Sequence, residues 1–313
     1  MNGKIGVLCG GPSGERGISI RSGRAVHEAL RSLGLPAELV ILSDRVEEIP
    51  QEIQRARLEN AFIALHGRFG EDGTVQALLE QMGIPYTGSS VEACRYGLDK
   101  LFSRRRWVAE GLPIPRWRLT DPAGLPAEAA SLGFPVVIKP RSEGSSLGMS
   151  IVDSPEELPQ AAEEAARFGS EILAEEYLPG PELTVGILDD MPLPVIQIVP
   201  KRRFYDFVAK YTAGMTEYRV PAPLPEAVRV VVQDLALRAH ETLGCRSFSR
   251  VDLILAEGRG PVLLELNPIP GMTPTSLLPK AAAAAGISFP ELCRRMLVSA
   301  LERTPAPACR QAG

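Results

Sequence analysis

The segment Ser249–Asn267 reads SRVDLILAEGRGPVLLELN, two aliphatic runs joined at Glu257-Gly-Arg-Gly260. No other stretch constrains the fold as tightly. The point midway between Asp252 and Glu265 falls between Gly258 and Arg259, the natural centre of a tight hairpin turn. In that register Asp252 stands opposite Glu265, and Arg250 opposite Asn267. Side chains two apart on a strand share a face, so all four project to one side. Two carboxylates facing each other across a ladder repel, and a divalent cation between them removes that cost. Two carboxylates and an amide oxygen suit magnesium, which prefers oxygen ligands and often keeps phosphate oxygens as partners. The alternative is a solvated polar face. The flanking Val251, Leu253, Val262 and Leu264 weigh against it, because they set the hairpin against a core.

Upstream, strands and helices alternate. Lys4–Cys9 reads as a buried strand, followed by the loop Gly10–Gly17 and a helix over about Ser19–Leu33 that Gly34 stops. Leu39–Leu42 and Ala61–Leu65 are further strands, and a helix spans about Thr74–Met82. This alternation predicts a parallel sheet with helices on its faces in residues 1–93. A mixed region, 94–178, holds a helix over about Asp99–Glu110 and the strands Phe134–Pro140, Met149–Val152 and Ile172–Leu178, with a helix over Pro155–Phe168. Residues 179–302 hold the strands Glu182–Leu188 and Val195–Val199, a helix over Pro225–Leu243, the hairpin, a helical Ala281–Ala285 and a final helix near Phe289–Leu301. The tail, 303–313, has a composition expected to stay disordered. The fold class is therefore mixed α/β.

With 313 residues, 45% hydrophobic and 23% charged, the composition is that of a soluble globular protein. A net charge of −4 speaks against nucleic acid as a partner. No run reaches the roughly 20 apolar residues of a membrane helix. Five widely spaced cysteines without a C-x-x-C pattern fit reduced thiols of a cytoplasmic protein and exclude a zinc ribbon or disulfide scaffold. Arg104-Arg-Arg106 and Lys201-Arg-Arg203 read as solvated faces, the second able to add positive potential near a phosphate.

The loop after the first strand has the spacing Gly10-Gly-x-x-Gly14, which is not the dinucleotide fingerprint G-x-G-x-x-G. Glu15 would repel a phosphate at the helix N-terminus. It suits a substrate ammonium, or it merely favours the helix dipole. The turn Glu143–Gly148 either lies over phosphates with its backbone N–H groups or is an ordinary hairpin turn. Lys139 ends the buried run Val136–Ile138 and needs an anion, either a nucleotide phosphate or a neighbouring carboxylate; Lys100 is similar. His66 follows a strand end, where α/β sites form. His27 and His240 lie in helical patterns and are solvent-facing or packed. No Ser-His-Asp or Cys-His arrangement supports nucleophilic catalysis.

Taken together the motifs resemble the D-alanine–D-alanine ligases of the ATP-grasp superfamily. They run from residue 4 to about 302: Gly10-Gly-x-Ser-x-Glu-Arg16, Ala64-Leu-His-Gly67, Gly70-Glu-Asp-Gly73, Pro85-Tyr-Thr-Gly-Ser89 and Asp99-Lys100. Next come Val137-Ile-Lys-Pro140, Glu143-Gly-Ser-Ser146, Gly180-Pro-Glu182, Phe204-Tyr-Asp206 and Ala209-Lys-Tyr211. Arg250-Val-Asp252, Glu265-Leu-Asn267, Pro270-Gly-Met-Thr273 and Ser276-Leu277 close the set.

The resemblance implies an N-terminal α/β domain followed by a two-part ATP-grasp fold, with ATP between the central and C-terminal parts. It assigns Lys100, Lys139 and Lys210 to the phosphates, Glu175, Glu176, Tyr177 and Leu178 to the adenine, and Glu182 to the ribose. Asp252, Glu265 and Asn267 would hold two Mg2+ ions, with Mn2+ able to substitute. Glu15 would orient the first D-alanine, with Ser145 and Tyr211 completing a hydrogen-bonded triad and His66 nearby. Arg250 and the Gly271 N–H would form an oxyanion hole, and Ser276 and Leu277 would bind the second D-alanine. The implied activity is ATP-dependent ligation of two D-alanines through an acyl phosphate, for peptidoglycan precursors, by a cytoplasmic homodimer. Residues 200–218 resemble the family's mobile loop. Tyrosine at 211 accompanies dipeptide formation in the family, whereas phenylalanine accompanies use of D-lactate. Pro268 departs from the family's usual threonine and leaves room for a related ligase taking D-serine, D-lactate or another amino acid second.

Overall fold

The computed structural model describes residues 3–212 and 214–301, with the side chains of residues 211, 300 and 301 outside the description. The tail 303–313 lies outside the described residues. In chain order the elements begin β1 (Ile5–Gly10), α1 (Arg16–Ser32), β2 (Ala37–Leu42), α2 (Ile49–Ala56), β3 (Asn60–Ile63), α3 (Thr74–Gln81), α4 (Val91–Leu98) and α5 (Lys100–Ala109). There follow β4 (Trp117–Thr120), α6 (Leu125–Leu132), β5 (Val136–Pro140), β6 (Ser150–Val152), α7 (Leu158–Ala166) and β7 (Ile172–Glu176). The last are β8 (Glu182–Leu188), β9 (Met191–Pro192), β10 (Ile196–Pro200), α8 (Phe207–Tyr211), β11 (Thr216–Arg219), α9 (Glu226–Thr242), β12 (Phe248–Ala256), β13 (Gly260–Asn267), α10 (Leu277–Ala284) and α11 (Phe289–Leu301).

β1 is buried along its whole length, as a central parallel strand covered on both faces must be. It pairs with β2 and β3 in the parallel order β2-β1-β3. α1 packs closely on it because residue 23 is glycine: a Cβ there would lie 2.7 Å from the Cys9 sulfur. Ser19 on that buried helix face accepts the Gly10 N–H at 2.9 Å and donates to the Ala64 carbonyl at 2.8 Å. It thereby closes the strand ends where the site forms. The helix starts at Arg16, three residues before the expected start, which places Glu15 at its N-cap.

The second sheet is antiparallel, β4-β7-β5-β6; the third, also antiparallel, runs β11-β10-β8-β12-β13, with β9 on β8. In the hairpin Arg250 opposes Asn267 and Asp252 opposes Glu265, as the sequence predicts. Beyond that pair the register shifts, so that Leu253 opposes Leu263 and Ala256 opposes Gly260. A β-bulge at Leu264 absorbs one residue, and the turn centres on Gly258, whose φ of 71° is left-handed, instead of between Gly258 and Arg259. The bulge also corrects which residues reach the core. Val251 and Leu253 do so, together with Leu263 and Leu266, packing beneath Leu235 and Ala239 of α9. Val262 joins a small cluster with Leu178, and Leu264 lines a cavity.

Candidate active site

Two adjoining cavities lie where the three sheets meet. One, of about 940 Å³, lies between the second and third sheets. Its apolar part is a slot of Val137, Ile151, Leu178 and Ile254 beside Tyr177. The other, of about 1000 Å³, reaches to the first sheet and is lined by Glu15, His66, Ser145, Arg250, Gly271, Ser276 and Leu277. Lys100, Lys210, Tyr205, Glu143 and Glu265 line both, so charged groups mark the junction.

Charges of both signs crowd the junction. Burial lowers the Lys100 ammonium to about 8, and its Nζ donates to the Glu143 carbonyl. Lys210 Nζ donates to Ser146 Oγ at 2.9 Å and lies 5.1 Å from the Tyr205 ring centre. Lys139 finds a carboxylate: its Nζ is 2.5 Å from Glu175 Oε2, and burial lowers it despite that pairing. Glu176 faces Arg116 at 2.7 Å and Arg259 at 2.5 Å on the rim of the slot. Glu182 lies under the same cavity, its carboxyl pushed up to about 7 by burial and by the neighbouring charge of Asp252.

Asp252 accepts Thr184 Oγ1 at 2.6 Å and both Arg250 Nε, at 2.9 Å, and Arg250 Nη2, at 2.7 Å. Burial would raise the Glu265 carboxyl, but Lys210, Lys100, Lys139 and Arg250 outweigh it and hold it at about 2. Glu265 is therefore ionised, and among the described residues nothing donates a hydrogen bond to it. Asn267 Oδ1 accepts the Ile269 N–H at 2.8 Å, which fixes its amide. An ionised carboxylate with open oxygens, a second carboxylate across the ladder and an oriented amide oxygen form a donor set that fits a hard divalent cation. Among the described residues no cluster of three or more acidic, histidine or cysteine side chains forms a metal site; here the third protein donor is an amide.

At the far end, Ser145 donates to Glu15 Oε1, bringing a Gly/Ser-rich turn of the second sheet onto the first. Ser145 and Ser146 both hold left-handed backbone, with φ of 50° and 57°. His66 is buried: Nε2 lies 3.0 Å from Ser22 Oγ and Nδ1 3.5 Å from Glu71 Oε1. Burial, with Glu15 nearby, pushes the Glu71 carboxyl above its ordinary range against the pull of His66. Ser22 also accepts the Met272 N–H at 3.3 Å, tying the Gly271 loop to α1. A Cβ at Gly271 would stand 2.8 Å from Ser276 Oγ, so a side chain there would have to displace that hydroxyl. Ser276 Oγ accepts the Thr273 N–H at 3.1 Å and precedes Leu277 at the start of α10. Pro268 is buried against Gly97, whose added Cβ would lie 3.0 Å from its Cδ.

The structure thus brings every sequence-predicted site residue to the two cavities except Tyr211, which ends α8 and whose side chain lies outside the description. Glu15 has a polar partner in Ser145, beyond any effect on the helix dipole. Sequence reasoning missed Glu71, Tyr205, Ser22 and Arg104. Glu71 follows the His66-Gly67 strand end within five residues, a spacing that could have flagged it. Arg104 is a correction: its run reads as a solvated face, yet Arg104 is 0% exposed. His240 is packed, between Ser249 Oγ at 2.7 Å and Asp190 Oδ1 at 3.1 Å.

Known proteins resemble this chain in sequence and fold. The family model described as D-ala D-ala ligase C-terminus matches residues 107–298, and that described as D-ala D-ala ligase N-terminus matches residues 41–89. The chain is 48% identical over 304 residues to the D-alanine–D-alanine ligase of Geobacter sulfurreducens, covering 95% of this chain and 94% of that protein. It is 46% identical over 297 residues to the enzyme of the same name from Syntrophotalea carbinolica, covering 95% and 96%. The crystal structure of D-alanine–D-alanine ligase from Bacillus anthracis complexed with ATP superposes with a TM-score of 0.82 at 34% identity, covering 95% of this chain and 96% of that one.

Proposed function

This chain belongs to the D-alanine–D-alanine ligase family, and on that premise we propose how its residues join two D-alanines at the expense of ATP. The enzyme is an ADP-forming carboxylate–amine ligase that supplies D-alanyl-D-alanine for peptidoglycan. The observation that carries the reading is the shared charged junction: an apolar slot on one side, the Glu15 carboxylate on the other, and Lys100, Lys210 and Glu265 common to both cavities.

Adenine lies in the slot against Tyr177 and Leu178, along the strand end Glu175–Glu176, and Glu182 takes the ribose hydroxyls. Lys100, Lys139 and Lys210 take the phosphates. Asp252, Glu265 and Asn267 would hold two Mg2+ ions, or Mn2+ in their place. Bound there, they would offset the charge of the transferring phosphoryl group. Glu15, held by Ser145, binds the ammonium of the first D-alanine and aims its carboxylate at the γ-phosphate. Phosphoryl transfer yields an acyl phosphate and ADP. The amine of the second D-alanine, positioned by Ser276 and Leu277, attacks the acyl carbon, and phosphate departs. Arg250 and the Gly271 N–H receive the oxyanion; one such donor is typically worth about 100- to 1000-fold in turnover. Tyr211, beside Lys210, joins Glu15 and Ser145, and its hydroxyl favours D-alanine over D-lactate as second substrate.

Residues 200–218 act as the lid that keeps water from the acyl phosphate. Supporting this, the Tyr205 carbonyl accepts Ser146 Oγ at 3.1 Å, and Arg203 pairs with Asp153 at 2.5 Å. The division at residues 93 and 178, a homodimeric assembly and a cytoplasmic location belong to the same reading; no helix among the described residues is long and apolar enough to cross a membrane.

The deciding experiment is phosphate release from Mg-ATP with D-alanine, beside L-alanine, D-serine and D-lactate, with the products identified. D-alanine-dependent release yielding D-alanyl-D-alanine is expected. Release that requires another partner would reassign the second substrate.

A further inference from the structure

Arg104 lies at the fifth position of α5, one turn beyond Lys100, on the helix face that enters the protein. It lines neither cavity. Its Nε donates to Glu175 Oε1 at 2.5 Å, and Nη2 donates to the Leu264 carbonyl at 2.8 Å. The third nitrogen, Nη1, is buried and has no hydrogen-bond partner among the described residues. A fully buried guanidinium with an unused donor is an expensive way to fill space, and well-packed apolar side chains commonly serve stability as well or better. Position 104 therefore calls for an electrostatic reason.

Glu175 supplies one. Its carboxylate is 2% exposed and shared, Oε1 with Arg104 and Oε2 with Lys139. Lys139 is also a wall of the nucleotide cavity. A lysine that serves a phosphate must loosen its hold on Glu175, and a buried carboxylate stripped of its only cation is strongly disfavoured. With Arg104 in place, Glu175 keeps one ion pair whichever way Lys139 turns. The second contact points the same way: Leu264 is the bulge residue of the hairpin, and its neighbour Glu265 faces Asp252. One guanidinium thus holds the nucleotide side of the second sheet and the carboxylate-bearing strand of the third.

We propose that Arg104 is a positioning residue for ATP: it is the standing counter-ion of Glu175 that frees Lys139 for the phosphates. This rests on the ligase reading above. If wild-type enzyme released no D-alanine-dependent phosphate, that reading would fail before Arg104 was tested.

The test is steady-state kinetics of the full chain with Mg-ATP and D-alanine, for wild type, Arg104→Met, Arg104→Lys, Glu175→Gln and the double variant Arg104→Met/Glu175→Gln. Arg104→Met is expected to raise KM for ATP at least about tenfold while both D-alanine KM values stay within about twofold. Arg104→Lys keeps the charge and should restore KM for ATP to within about threefold. In the Glu175→Gln background there is no anion to hold, so Arg104→Met should change KM for ATP by less than about twofold. Equal losses toward ATP and D-alanine, or the same loss in both backgrounds, would overturn the proposal. If Arg104→Met does not fold, Arg104→Gln, which removes the charge but stays polar, carries the same test in the two backgrounds: a rise in KM for ATP confined to the Glu175 background supports the proposal, and an equal rise in both, or none in either, refutes it.

Discussion

At the scale of single residues, charge and burial disagree at Glu182. Its carboxyl titrates near 7 in the folded protein, against an ordinary value of 4.5, because burial and Asp252 oppose ionisation. Between those values the folded state binds more protons than the unfolded state, so stability falls as pH rises from 4.5 to 7 and levels off above. The loss amounts to about 3 kcal/mol at most. Glu182→Gln should flatten this decline, seen as a melting temperature of the nucleotide-free enzyme that no longer drops across that window; an unchanged decline would assign it elsewhere. Glu265 behaves oppositely. Held at about 2, it contributes stability that is present above 4.5 and lost as pH falls toward 2, so it stays ionised throughout the neutral range. Glu265→Gln removes that charge: the half-saturating magnesium concentration should rise and kcat should fall by about 100-fold or more. Unaltered magnesium dependence would exclude Glu265 as a ligand.

Elements differ in how plainly the sequence announces them. Glu182–Leu188 and Phe289–Leu301 match their expected spans, and the hairpin pairs Asp252 with Glu265 as its symmetry requires. The helices Ile49–Ala56 and Leu125–Leu132 escaped because each is eight residues long with proline near its start, too short for a periodic signal. Trp117–Thr120 escaped as a four-residue edge strand with no fully buried position. The site was legible where a residue type is costly without a partner: a lysine ending a buried strand, a carboxylate opposite a carboxylate. Arg104 was not. A run of three arginines does not reveal which member turns inward, and only the packing of α5 beneath Glu175 decides it.

On the scale of the whole molecule, direct hydrogen bonds tie the three sheets together. Ser145 to Glu15 joins the second sheet to the first, Ser22 to Met272 the first to the third, and Arg104 the second to the third. The proposed lid adds the Arg203–Asp153 pair, whose side chains are 47% and 50% exposed. A pair so exposed contributes under about 1 kcal/mol to stability. Arg203→Ala should therefore leave melting nearly unchanged while loosening closure. Its signature is more phosphate released per dipeptide formed, as water reaches the acyl phosphate. A ratio equal to that of the wild type would show that the lid closes without this pair.

The bulge at Leu264 also acts as a phase change in β13. Before it, even-numbered Val262 turns away from the main core; after it, odd-numbered Glu265 and Asn267 face the cleft. The ligand pair is consequently locked to Asp252 and Arg250 by its own short ladder and owes nothing to the length of the turn. Residues gained or lost around Gly258 would be absorbed before the bulge, whereas one gained or lost after it would turn the carboxylate face inside out. The tip of this hairpin is thus free to vary in length while the chemistry a few residues away stays in register.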